Sequence, residues 1–185
     1  MEKKDGCRVP GLVILKRVAI TGPESTGKSE LSRKLASHYN TVYVPEYARE
    51  YIDKLNRLYT ESDILVIAKG QVQAEDDRIT QANGLLFCDT ELLVTKIWSE
   101  VKYGRCGPWI NTMMEDRPYD LFLLCAVDLP WEDDPQREHP HQRDYLFDLY
   151  HQALVQQGRN FRVIKGVGEE RLANAINAVQ TLFTN

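Results

Sequence analysis

The residues Gly22-Pro23-Glu24-Ser25-Thr26-Gly27-Lys28-Ser29 place two glycines five positions apart, followed at once by a cation and a hydroxyl. Glycines at this spacing let backbone N–H groups turn inward around an anion, and a helix starting at the end of the loop adds a partial positive charge. The pattern Gly-x-x-x-x-Gly-Lys-Ser reads as a complete phosphate-binding loop for ATP, with Gly22 through Glu30 as the nucleotide contacts. Lys28 would reach the β- and γ-phosphates, and the Ser29 hydroxyl would bind the accompanying Mg²⁺. Taken alone, the loop says only that a triphosphate is held.

Further groups could complete a phosphoryl transfer. Asp89 follows the apolar run Leu85-Leu86-Phe87-Cys88, the expected lead-in to a carboxylate that holds Mg²⁺ directly or through water; the plain alternative is an exposed strand-end acid. Glu46 lies in Pro45-Glu46-Tyr47-Ala48-Arg49-Glu50, where a carboxylate, an aromatic ring and a guanidinium stand together. A carboxylate beside a γ-phosphate orients an attacking hydroxyl and accepts its proton, so Glu46 is the candidate base, against an ordinary Glu46 to Arg49 surface pair. The polar stretch from Leu129 to Arg143, interrupted by Pro130, Pro135 and Pro140, has the composition of a lid. Its closure would exclude water, and Arg137, with Arg143 second, would bring positive charge to the phosphoryl group in flight; the alternative is a solvated loop. His139 and His141, with Asp133 and Asp134 nearby, lack a third histidine or a cysteine at ligand spacing and read as surface, not as a metal site. Trp98 reads as core on an apolar helix face, whereas Trp131 is harder to explain by packing. The predicted substrate contacts are Glu46, Tyr47, Arg49, Asp89, Trp131 and Asp134.

Hydrophobic spacing supplies the elements that position these groups. Val18-Ala19-Ile20, Thr41 to Val44, Leu85 to Cys88, Leu121 to Val127 and Phe161 to Ile164 are short apolar runs that read as strands buried on both faces. Between them, Lys28 to Tyr39, a stretch opened by Thr60-Glu61-Ser62-Asp63 and closing near Asn83-Gly84, Glu91 to Tyr103, Asp144 to Gln157 and Glu169 to Phe183 carry helical periodicity. Strands alternating with helices predict an α/β fold: a five-stranded parallel sheet with helices on both faces and right-handed crossovers. Ligands of such sheets bind at the carboxyl ends of the strands, where Gly22 to Ser29, Glu46, Asp89 and Asp128 would meet.

A chain of 185 residues fits one domain, taken here as residues 16–185 behind an N-terminal extension of residues 1–15, with the lid at about 129–143. The net charge of −4 lacks the basic footprint of a nucleic-acid binder, and no run reaches the length needed to span a bilayer. Cys7, Cys88, Cys106 and Cys125 form no Cys-x-x-Cys pair; Cys88 and Cys125 sit in apolar runs as small hydrophobes, and a reducing cytoplasm is the natural compartment. Oligomeric state is left open.

Four segments together resemble the ribosylnicotinamide kinase domain of NadR-type proteins: the loop of residues 22–29, Val-Pro-Glu-Tyr-Ala-Arg-Glu-Tyr at 44–51, Cys-Asp-Thr-Glu at 88–91 and Asp-Leu-Pro-Trp-Glu-Asp-Asp-x-x-Arg at 128–137. The likeness runs from about Lys16 to the C-terminus, and its second and fourth segments are the more specific. It implies a P-loop fold of the nucleoside and nucleotide kinase type, and transfer of the ATP γ-phosphoryl group to the 5′-hydroxyl of nicotinamide riboside. By the same resemblance Lys28 and Ser29 serve triphosphate and metal, Asp89 metal or substrate, Glu46 the ribose hydroxyls, and Arg137 the transferred charge. Gly166-Val167-Gly168 falls where such kinases pass the adenine ring. The histidines, His38, His139, His141 and His151, form no His-x-Gly-His signature, so neither adenylyl transfer nor operator binding is carried over. A kinase for another nucleoside and a regulatory ATP sensor are the competing readings.

Overall fold

Each apolar run forms a strand of one sheet: β1 Lys16–Thr21, β2 Val42–Val44, β3 Leu85–Asp89, β4 Leu121–Cys125 and β5 Phe161–Ile164. These elements come from a computed structural model that describes residues 15–184, so Cys7 and nearly all of the N-terminal extension lie outside the described residues. The strands are all parallel, in the order β2-β3-β1-β4-β5. β1 is therefore central, with Ile20 beside Asp89 of β3 and Thr21 beside Leu124 of β4, and the chain reverses its direction of travel around it. Such a switch point opens a crevice at the strands' carboxyl ends.

β3 and β4 are buried along their whole length, which is why their sequences run apolar without alternation. On one face Val18, Ile20, Phe87, Leu121 and Leu123 pack beneath α1 (Lys28–His38) and α7 (Glu169–Gln180). On the other, Ala19, Phe122 and Leu124 meet α4 (Leu92–Tyr103) and α6 (Arg143–Gln156). α3 (Glu61–Ile79) lays Ile64, Ala68 and Val72 against Leu92 of α4 and Ile110 of α5 (Pro108–Asp116). Among the described residues no helix is long and apolar enough to cross a membrane.

Some boundaries differ from the sequence expectations. α3 begins at the predicted capping box, where Asp63 accepts from the Thr60 amide at 2.7 Å, but it stops at Ile79, short of Asn83. The last helix ends at Gln180 because Phe183 is exposed and gains nothing from continuing it. Two helices were not anticipated: α2 (Tyr47–Asp53) and α5. α2 buries only Ala48 and so carries no apolar stripe, whereas α5 opens with Pro108 at its first position, a signal that was present.

Candidate active site

The phosphate loop leaves β1 at Thr21 and turns at Gly22, whose φ of 128° is closed to side-chain-bearing residues; a Cβ there would lie 3.0 Å from the Cys125 carbonyl oxygen. Gly27, at φ 76°, delivers the chain into α1. Thr26 braces the loop by donating from Oγ1 to the Pro23 carbonyl at 2.8 Å, and Lys28 arches back over it with Nζ 2.7 Å from the same oxygen. Ser29, in the first turn of α1, is exposed to the crevice.

Asp89 ends β3 beneath this loop, almost fully buried, and its Oδ1 has no hydrogen-bond partner. Burial, then the nearby Glu46 carboxylate, push its pKa to about 6, while the Ser29 hydroxyl, Lys28 and Arg49 pull the other way. A bare buried carboxylate oxygen near an exposed hydroxyl suits a hard cation such as Mg²⁺, which takes one or two protein ligands and draws the rest from phosphates and water. Among the described residues no cluster of three or more His, Cys, Asp or Glu could hold a metal alone, so an ion here would need the nucleotide's oxygens.

Glu46 is the N-cap residue of α2, set past Pro45 where β2 can no longer continue. It faces the crevice beside Arg49, whose Nε lies 3.4 Å from its carboxylate. The pair that the sequence offered as a surface alternative thus forms, on the wall of the cavity. The other end of Arg49 donates from its Nη1 to Asp134 of the lid at 2.8 Å. That guanidinium, helped by the Gln136 amide, holds Asp134 below the usual carboxylate range.

The segment expected to be a lid has no regular secondary structure from Leu129 to Gln142, gives way to α6 at Arg143, and is fastened at both sides of the crevice. On the phosphate side, the Glu24 carboxylate accepts from the amides of Glu138 (3.1 Å) and His139 (3.0 Å), and Ser25 Oγ accepts from the Glu132 amide (2.9 Å) and from Arg137 (3.4 Å). Arg143 donates to the carbonyls of Ser25 and Leu129, each at 3.0 Å. On the opposite side Gln136 reaches Asp53 of α2, and Glu138 accepts from Tyr59 (2.8 Å) and Lys102 (2.9 Å). Arg137 and Arg143 also lie near the Trp131 ring, at 5.9 and 5.7 Å from its centroid.

Between loop, lid and helices lies a cavity of about 290 Å³. Glu46 and Arg49 line it on one side; Val94, Ile97, Trp98 and Val101 of α4, with Leu146 and Tyr150 of α6, form an apolar wall. The α4 residues recur every third or fourth position and so share one face. Trp98, expected in the core, lies on this wall and donates from Nε1 to the Tyr59 hydroxyl at 2.9 Å. Of the predicted substrate contacts, the structure brings Glu46 and Arg49 to the cavity and Asp89 beneath it, but not the other three. The Tyr47 ring covers Gly70 of α3, where a Cβ would sit 2.1 Å from the ring. Trp131 donates from its Nε1 to Asp133 at 2.8 Å, in a separate surface groove that Asp134 also lines. Glu24, expected as a nucleotide contact, also holds the amides of Glu138 and His139, and the sequence does not mark Tyr59 and the α4 wall as cavity lining, because periodicity marks an apolar face without saying whether protein or ligand covers it.

The molecule can be set beside known proteins. A family model described as AAA domain matches residues 17–171. The trifunctional NAD biosynthesis/regulator protein NadR of Escherichia coli (strain K12) is 33% identical over 129 residues, which is 66% of this chain and 31% of that protein, so the chain spans about a third of the relative's length. A crystal structure of NadR protein in complex with NR superposes with a TM-score of 0.80 at 23% identity, over 93% of this chain and 52% of that one. Thymidylate kinase from Ehrlichia chaffeensis does so with 0.64 at 14% identity, over 91% and 99%. The fold is that of P-loop nucleoside and nucleotide kinases, as the sequence predicted.

Proposed function

This chain belongs to the AAA-domain family of P-loop proteins and is homologous to NadR, and on that premise we propose that it is an ATP-dependent kinase that phosphorylates the 5′-hydroxyl of nicotinamide riboside to nicotinamide mononucleotide. The observation that carries the reading is the pairing, in one crevice, of a phosphate loop with a Glu46-bearing, apolar-walled cavity beneath a lid fastened to both. An ATPase sensor needs no such acceptor chamber. The likeness to NadR solved with NR supports the choice of acceptor, and Trp98 on the cavity wall is an aromatic surface suited to a planar cationic ring.

In this mechanism the loop amides and Lys28 hold the triphosphate. Ser29 and Asp89 would hold Mg²⁺, which would supply positive charge to the transferring phosphate. Glu46 orients the acceptor hydroxyl and takes its proton as the new oxygen–phosphorus bond forms and the bond from γ-phosphorus to the ADP oxygen breaks. Arg49 and Asp134 tie the Glu46 side of the cavity to the lid. Arg137 stabilises charge on the transferred group, and the closed lid keeps water from competing as acceptor.

ADP release from ATP, followed with purified protein across a panel of nucleosides that includes nicotinamide riboside, tests the reading, with Lys28→Ala as control. Release that depends on nicotinamide riboside and disappears in the control is expected. Dependence on a different nucleoside would replace the acceptor, and release indifferent to every acceptor would replace the kinase with an ATPase.

A further inference from the structure

Arg171 lies in the first turn of α7, yet its side chain turns inward and is buried behind the phosphate loop. Its guanidinium donates to four acceptors: the carbonyls of Thr26 (2.7 Å), Ala126 (3.2 Å) and Gly166 (2.9 Å), and Asp128 Oδ1 (2.6 Å). These belong to the phosphate loop, the end of β4, the β5–α7 connection and the residue before the lid. Asp128 closes the network by accepting from the Gly166 amide at 2.7 Å. An apolar residue could anchor α7 without desolvating a cation, so the fixed fork of the guanidinium has a directional use.

That use is visible at Thr26. No peptide bond among the described residues is cis, and in a trans peptide the carbonyl and the following N–H point in opposite directions. Gly27 lines the cavity and Arg171 does not. A guanidinium gripping the Thr26 carbonyl from behind therefore turns the Gly27 N–H forward, into the space the proposed triphosphate would occupy. We propose that Arg171 is a positioning residue for the nucleotide, which aims the Gly27 N–H at a phosphate oxygen. The inference rests on the ATP reading above.

Arg171→Lys keeps the charge but loses the fork, and Arg171→Met loses both. Titration calorimetry with Mg·ATP is expected to give an affinity about tenfold weaker for the lysine variant and weaker still for methionine, in line with one misdirected bond to a charged group. The acceptor KM at saturating ATP should stay within about twofold of wild type, a split that a general loss of packing would not produce. In amide NMR spectra, the shift of the Gly27 N–H on adding Mg·ADP should shrink in Arg171→Lys. If the methionine variant fails to fold, the lysine variant decides. A folded lysine variant with wild-type nucleotide affinity and an unchanged Gly27 shift overturns the proposal. A wild-type protein that does not bind Mg·ATP sinks the ATP reading itself, a distinct result.

Discussion

Asp89 has a cost that its proposed ligand relieves, and Asp89→Asn should expose it. Burial raises its pKa from an ordinary 3.8 to about 6. The folded chain thus holds this proton more tightly than the unfolded one, and the stability so gained is full below the unfolded value and lost as pH rises through the folded value. A shift of roughly two units is about 3 kcal/mol at most, with each unit about 1.4 kcal/mol. Allowing for an imperfect amide replacement, ligand-free Asp89→Asn should be about 2 kcal/mol more stable than wild type above about pH 7. In a chain of this size that raises the melting temperature by about 4–8 °C. At about pH 4, where Asp89 is largely protonated in the folded chain, the advantage should fall below about 1 kcal/mol. The assay is thermal unfolding of both proteins with chelator at the two pH values, then at neutral pH with Mg·ATP. The nucleotide should stabilise wild type more than the variant, because only wild type supplies the metal's carboxylate. A variant no more stable than wild type at neutral pH, or an advantage that persists undiminished in acid, would refute this account of Asp89.

Other substitutions probe the remaining parts. Glu46→Gln should lower kcat by about 10²- to 10⁴-fold with little change in ATP affinity, and near-normal turnover in steady-state assays would remove Glu46 as base. Trp98→Ala opens the apolar wall and removes one of the Tyr59 hydroxyl's partners, so the acceptor KM should rise about tenfold while calorimetry shows unchanged ATP binding. Gly22→Ala forces a side chain into a positive-φ turn against the Cys125 carbonyl; a loss of about 1–3 kcal/mol in denaturant unfolding is expected, together with weakened nucleotide binding.

The phosphate loop, the strands and the irregular segment after β4 were legible in the sequence because each is a local pattern: fixed glycine spacing, a continuous apolar run, a proline-broken charged stretch. α2 was not, since seven residues with a single buried alanine leave no periodic trace. Nor were the partners of charged residues. Arg171 meets Thr26 across 145 positions and Arg49 meets Asp134 across 85, and nothing in a linear pattern says which carbonyl or carboxylate a given arginine will find. Trp131 reads as a substrate contact because packing does not explain an indole in a polar segment; in the structure it bonds to Asp133, and Asp134 bonds to Arg49 of α2. The α4 wall shows the converse limit: a Val94, Ile97, Trp98, Val101 stripe is equally at home against a core or a cavity.

The lid bonds to Glu24 and Ser25 on one bank of the crevice and to Arg49, Asp53, Tyr59 and Lys102 on the other. If both ligands favour the fastened state, they become thermodynamically linked through this strap without touching each other. The linkage is reciprocal: the factor by which bound nucleotide tightens the acceptor must equal the factor by which the acceptor tightens the nucleotide. Releasing one bank, through the Glu138 side chain, should therefore shrink both factors together, so that the two binding events drift toward independence.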